Sequence, residues 1–208
     1  MKNIPILLLA AGQSRRMRGR DKLMEDVDGD PLLRRVAKRA CAAGIGPVIV
    51  ALPPAPHPRH APLEGLPVVP VEVPDAADGL SASLKRALAA VPDTAEAVMI
   101  LLADLPDILT QDIIHVAQAT VSKKHSLIWR GATEDGAPGH PVVLARALFP
   151  ELAALNGDAG AQVVIRRHAD RVMLVPLPGQ HALHDLDTPE DWACWRAERD
   201  RKTGKGRA

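Results

Sequence analysis

Residues 4–10 form an unbroken apolar run, the pattern of a strand covered on both faces. A second such run spans 97–103, and shorter ones cover 48–52, 68–73, 127–130, 142–144 and 172–175. Between them the period changes. Residues 31–43 place Leu32, Leu33, Val36, Ala37 and Ala40 at helical spacing and stop at Gly44, a residue suited to end a helix. Helices are likewise predicted over 80–91, from Thr110 as cap to about 121, over 159–167, and over 189–199, the last opening with Pro, Glu and Asp. Residues 12–30 read as a polar, glycine-bearing loop, and 53–67, rich in Pro and His, as an irregular surface segment. Strands alternating with helices at this spacing predict a three-layer α/β/α sandwich around a mostly parallel sheet. In such sheets ligands bind beyond the carboxyl ends of the strands, near the point where strand order reverses.

Composition adds mainly exclusions. The 208 residues suit one domain, expected over 1–199, with the basic residues 200–208 as a disordered tail. Lys+Arg 26 against Asp+Glu 25 leaves a formal charge of +1, so bulk charge does not point to nucleic acid. Three Trp, one Phe and no Tyr leave few rings on which bases could stack. No apolar run approaches the roughly 20 residues of a membrane span. The apolar start behind Lys2 has the outline of a signal peptide, but Pro5 interrupts it and Arg15, Arg16 and Arg18 follow. It is read as a buried strand, and the protein as cytoplasmic. Cys41 and Cys194 make no CxxC or metal spacing and are read as two reduced, buried thiols.

Three segments carry unusual chemistry. After the first strand, Ala10, Ala11 and Gly12 let a ligand approach the backbone, and Arg15, Arg16, Arg18, Arg20 and Lys22 follow. Backbone N–H groups with cations suit a polyphosphate, although a solvated basic loop has the same composition. Neither GxxxxGK[ST] nor GxGxxG is present, since Leu23 follows Lys22. Asp104 ends the 97–103 run, where a carboxylate can hold a metal ion or merely cap a helix, and Asp107 fits turn chemistry. Asp185 and Asp187 share one face if extended, while Asp187 or Thr188 could equally be an N-cap. A hard divalent cation takes a few carboxylates plus substrate phosphates, which Asp104 and Asp187 could supply from separate strand ends. There is no Ser-His-Asp or Cys-His signature. His57 and His60 are not read as ligands, and Met17 and Met24 are read as packing residues.

The opening LAAGxSxRM…K, the ADLP turn, GAPGHPVVL at 136–144, GDAGA at 157–161 and DLDTPEDW, in that order, resemble the MobA-like nucleotidyltransferases over about residues 4–195. The branch most similar is the cytidylyltransferases of the molybdenum cofactor. The resemblance implies a Rossmann-like sandwich of the nucleotide-diphospho-sugar transferase type. It implies an enzyme that uses Mg²⁺ to move CMP from CTP, or another NTP, to the phosphate of a molybdopterin-type cofactor, releasing pyrophosphate. A molybdoenzyme would receive the product, and neither nucleic acid nor membrane takes part. Carried over by position, Leu9, Ala10, Ala11 and Gly12 lie against the nucleotide, with Gly79 and Ser83 near the base. Arg16 and Lys22 hold the triphosphate and, with Asp104, are catalytic; Asp104 and Asp187 hold the metal, with Asp185 a second choice. Gly139, His140 and Pro141 lie on the acceptor side. Arg18 departs from the family, which often has glycine there, and Ala103-Asp104-Leu105-Pro106 stands where Gly-Asp-Met-Pro is usual. Ala11, where the guanylyl relatives have glycine, is expected to favour a pyrimidine. Guanylyl transfer, sugar-phosphate nucleotidyl transfer and a non-catalytic cofactor carrier remain alternatives.

Overall fold

The first apolar run becomes β1 (Ile6–Leu9), and its side chains divide between two cores. Ile6 and Leu8 enter one cluster, Leu7 and Leu9 the other, which is why every position of the strand is apolar. The computed structural model describes residues 3–121, 125–157 and 160–203. After β1 come a short hairpin, β2 (Asp26–Val27) and β3 (Asp30–Pro31), then α1 (Leu32–Ala43), β4 (Val48–Leu52) and β5 (Val68–Glu72). The chain continues through α2 (Leu80–Ala89), β6 (Ala97–Leu102), α3 (Thr110–Ala119), β7 (Ile128–Ala132) and β8 (Pro138–Ala145). It ends in α4 (Phe149–Ala153), α5 (Gln162–Arg167), β9 (Val172–Pro176) and α6 (Pro189–Thr203).

Seven strands form one sheet in the order β5-β4-β1-β6-β8-β7-β9. Every pairing is parallel except those of β8, which runs antiparallel to β6 and β7. Residues of α1, α3 and α6 close the core on one face, and those of α2, α4 and α5 on the other. The expected Rossmann-like three-layer sandwich with a mostly parallel sheet is therefore present. Connections leave β1 toward β4 on one side, while β6 lies on the other, so the reversal of strand order falls between β1 and β6. The loops after these two strands are where a ligand is expected.

Several local readings change. Gly44 ends α1 in the left-handed region as expected, its N–H donating to Cys41 O. Thr110, however, does not cap α3. Leu109 is the N-cap, its N–H held by the Asp112 carboxylate at 2.8 Å, while the Thr110 hydroxyl donates to Arg39 O. An acid at the third helical position competes successfully for the role. β8 is longer than 142–144 because Gly139, His140 and Pro141 are part of it. A register shift in β7 between Arg130 and Ala132 lies opposite this stretch, and bulges are where a sheet accepts proline.

The predicted first residue of the 159–167 helix lies outside the described residues, and the helix seen begins at Gln162. α6 runs to Thr203, past the expected end at 199; residues 204–208 of the expected tail lie outside the described residues. The thiols are not both buried: Cys41 is half-buried, and Cys194 is exposed on α6. Among the described residues no helix is long and apolar enough to cross a membrane.

Candidate active site

The loop after β1 adopts a conformation that its sequence alone does not favour. Ser14 and Arg18 both sit in the left-handed region, at φ 50° and 53°, flanking a single 3-10 turn. Such residues persist where the surroundings over-determine them. Arg59 supplies that determination. It is only 2% exposed. Its Nη1 donates to Ala10 O at 2.6 Å, its Nε and Nη2 fork onto the Asp21 carboxylate at 2.7 and 2.8 Å, and Nη2 also reaches Ser14 Oγ at 3.1 Å. Burial opposes the Asp21 charge, but the Arg59 guanidinium more than offsets it and holds the carboxyl below its ordinary range. The segment 53–67 is thus not wholly a surface loop. No spacing or motif marks Arg59 in the sequence; it is a lone arginine among Pro and His.

This braced loop forms one wall of a cleft of about 490 Å³ at the carboxyl edge of β1 and β6. Leu9, Ala10, Ala11, Gly12, Arg16, Lys22, Gly79, Ser83, Asp104 and Asp187 all line it, so the residues expected at the nucleotide and metal converge. Gly12 has open space where a side chain would stand, whereas Ala10 and Ala11 are almost fully buried and floor the cleft. Gly79, at φ 106°, opens α2 in a backbone conformation that favours glycine. A second groove of about 570 Å³ runs along the far side of residues 11–15, walled by Pro53, Pro54 and His57.

Lys22 is central. Its Nζ lies 2.5 Å from Asp104 Oδ2 and 2.6 Å from Asp187 Oδ1, and the side chains of Lys22 and Asp104 are each 15% exposed. Burial pulls the lysine pKa down, but the charge of Asp104 and the bonds to both carboxylates raise it above its ordinary value. Arg16, 71% exposed, reaches Asp187 Oδ2 at 2.6 Å. The two cations expected on phosphate therefore hold carboxylates here. Asp104 Oδ1 is buried with no hydrogen-bond partner. Two carboxylates already bridged by a cation, with one orphaned oxygen, form a hard-oxygen donor set that fits a divalent metal. Among the described residues no group of three or more His, Cys, Asp or Glu could hold a metal ion unaided. Phosphate oxygens would have to complete the shell.

The turn carrying Asp187 is fixed from both ends. Asp191 accepts the N–H groups of Asp187 and Thr188, and the Thr188 hydroxyl accepts from Asp191 N–H, closing a reciprocal cap on α6. Thr188 is the cap, and Asp187 is free to face the cleft. Asp185 lies beside it with its carboxyl only partly shielded from water; that shielding, then the negative charges of Asp104 and Asp187, raise its pKa. Asp107 does more than shape a turn. It accepts from Trp195 Nε1 at 3.0 Å and pairs with His184 Nδ1 at 2.9 Å, tying α6 and the Asp187 turn to the loop after β6.

The acceptor-side residues stand apart from the cleft. A Cβ on Gly139 would lie 2.0 Å from Ala182 O, so this glycine permits close packing of β8 on the 182–188 turn. His140 and Arg130 line a separate, largely apolar cavity of about 100 Å³ that shares Leu9, Leu80 and Leu102 with the cleft. Burial pushes the His140 pKa down to about 4, leaving the imidazole neutral, and its Nδ1 is buried without a partner. Pro141 lines neither space.

Only Asp104 lies at a strand end, Asp187 lying in the turn before α6 rather than at a second one; an α/β sandwich with a braced cationic loop facing these two carboxylates is the framework of a nucleotidyltransferase. The family model for the MobA-like NTP transferase domain matches residues 6–172, and the chain belongs to that family. No curated protein matches it significantly. Among solved structures it is similar to Rv0371c from Mycobacterium tuberculosis, at 28% identity and a TM-score of 0.81 over 93% of this chain and 96% of that one. A homologue of Rv0371c from Mycobacterium sp. strain JC1 is 30% identical, with a TM-score of 0.80 over 95% and 97%. Rv0371c has also been solved in complex with manganese. A nucleotidyl transferase from Methanothermobacter, Mth528, shares the fold at 20% identity and a TM-score of 0.77 over 97% and 100%. The chain is an enzyme, a nucleotidyltransferase, and the reading as a non-catalytic carrier falls away.

Two outcomes are expected. Arg59→Met should cost about 3 kcal/mol, the lower end for breaking a buried pair, because Asp21 keeps 24% exposure. It should also weaken nucleotide binding by releasing Ser14 and Ala10; urea unfolding and a nucleotide titration check both, and an unchanged nucleotide affinity would deny Arg59 its bracing role. The second concerns pH. His184 has a pKa raised first by its bond to Asp107, so its contribution is complete below its ordinary value of 6.5 and is lost as pH rises through the folded value. Burial raises the Asp107 pKa, but the bonds from His184 and Trp195 lower it further, so its contribution is present above 3.8 and lost as pH falls through the folded value. His184→Gln should therefore destabilise more at pH 5.5 than at pH 8.5. An equal loss at both, by denaturant midpoint, would contradict the assignment.

Proposed function

We propose that the enzyme transfers CMP from CTP to the terminal phosphate of a molybdopterin-type molybdenum cofactor. An acceptor oxygen attacks the α-phosphorus, the bond to the bridging oxygen breaks, and pyrophosphate leaves. The convergence of the loop after β1 with Asp104 and Asp187 in one cleft is the observation that carries this reading.

Each residue has a task that its position allows. Ala10, Ala11 and Gly12 give the nucleotide close access to the backbone, and Gly79 and Ser83 flank the base. Arg16 and Lys22 exchange their carboxylates for phosphates and offset the charge of the transferring and leaving groups. Asp104 and Asp187 would hold Mg²⁺, with Asp185 a second choice; when bound, the metal would supply charge neutralisation at the phosphates. The acceptor phosphate is already anionic near neutral pH, so no side-chain base is needed. Of the acceptor-side residues His140 would face the acceptor through the cavity that adjoins the cleft, while Gly139 and Pro141 shape the strand that carries it. A manganese complex of a related structure supports the use of a divalent ion.

With purified molybdenum cofactor and Mg²⁺, kcat/KM for CTP should exceed that for GTP by roughly 10-fold or more, the scale of steric discrimination in a packed pocket. Equal or better use of GTP would overturn the cytidylyl reading. Asp104→Asn keeps the shape of the side chain and removes its charge. It should lower turnover by about two orders of magnitude or more, as loss of an electrostatic catalytic group does elsewhere, with the thermal midpoint retained. Activity within about threefold of the unmodified enzyme would remove Asp104 from the chemistry.

A further inference from the structure

We infer that Lys22 is a placeholder for the divalent cation: with no nucleotide bound its ammonium bridges Asp104 and Asp187, and the metal gains this seat only when a triphosphate draws Lys22 away. The inference rests on the nucleotidyl-transfer reading and adds an order of events to it.

The geometry carries it. One positive centre lies 2.5 Å from a carboxylate at the end of β6 and 2.6 Å from another before α6. A bridging metal would use the same two groups. The ammonium engages one oxygen of Asp104 and leaves Oδ1 buried and unpartnered, an acceptor still open to a cation of higher coordination number. While Lys22 stays, an arriving divalent ion meets carboxylates already partly neutralised and a positive charge beside them. Asp185 adds negative charge nearby, but among the described residues no group of three His, Cys, Asp or Glu is placed to hold the ion.

The rest of the loop is arranged for exchange. Arg16 pairs with Asp187, Arg18 with Glu190 at 2.7 Å and Arg20 with Glu25 at 3.2 Å. These pairs are largely exposed on the arginine side, where ion pairs contribute little and are readily traded. A triphosphate offers the same cations a denser set of oxygens. Lys22 has a flexible stem and three donors that can turn from carboxylate to phosphate. Its departure leaves two uncompensated carboxylates beside the phosphates, the donor set that a hard divalent cation prefers. Metal and nucleotide affinities are then coupled, and the coupling is reciprocal.

Mn²⁺, followed by the electron paramagnetic resonance of the free ion on the full chain, tests this without turnover. The unmodified protein should bind Mn²⁺ weakly alone and about tenfold or more tightly with saturating CTP, after correction for Mn²⁺–CTP in solution. Lys22→Met should bind Mn²⁺ alone about tenfold more tightly than the unmodified protein, with most of the coupling to CTP gone. Lys22→Gln serves as a second variant should the methionine protein misfold, as judged by circular dichroism. Adding Asp104→Asn to either variant should abolish the gain. Variants that fold and bind Mn²⁺ alone no more tightly than the unmodified protein overturn the inference, as does a gain that survives Asp104→Asn. Equilibrium dialysis with CTP and saturating Mg²⁺ separates the two readings: absence of nucleotide binding counts against nucleotidyl transfer, while the comparison with Mn²⁺ alone still judges Lys22.

Discussion

Asp104 and Asp187 are like charges from distant parts of the chain, and a single ammonium holds them together. The cleft depends on that contact, and the contact depends on the sheet. Lys22 arrives at the end of the loop after β1, Asp104 follows β6, and Asp187 precedes α6. β1 and β6 are adjacent in parallel register, from Ile6 against Met99 to Leu9 against Leu102, which brings the first two segments to one edge. The third is brought in by the Leu186 N–H, which donates to Asp104 O at 3.3 Å, and by the Asp107 contacts to His184 and Trp195. Burial of the two apolar strands thus positions charges that would otherwise repel or hydrate separately.

The charges differ in how firmly they are held. Arg59 is enclosed and satisfied by Asp21, Ser14 and Ala10, so it fixes the path of the loop. Arg16 and Arg18 reach outward to partners that solvent screens. Lys22 lies between these regimes, buried enough to bridge two carboxylates yet carried on a flexible four-carbon stem. A rigid root with exchangeable tips suits a loop that must keep its shape while it changes partners.

Much of this was legible in the sequence, for identifiable reasons. β1 and β6 are apolar at every position because two cores bury them, and no other pattern competes. Asp104 stands out as a carboxylate at the end of such a segment, whereas Asp187, expected at a strand end too, lies in the turn before α6. Asp187 and Thr188 could not be told apart as cap and ligand, because TPED serves both purposes at once. The extent of β8 was hidden by Pro141, whose place in a strand depends on a bulge in its neighbour. Arg59 left no trace, since its partners at Ala10, Ser14 and Asp21 are found only by folding. The same holds for Lys22: a lysine in a basic loop suggests phosphate, and only the three-dimensional arrangement shows it between two aspartates.

The central claim is that this cleft breaks an α–β phosphoanhydride and passes the nucleoside monophosphate to an acceptor phosphate. Mass spectrometry of reactions containing purified molybdenum cofactor and each of the four NTPs in turn addresses it directly. The account predicts one product, the cofactor enlarged by CMP, formed with one pyrophosphate per product and only where CTP is supplied. Release of inorganic phosphate from the γ-position, or no adduct with any of the four nucleotides, would contradict it.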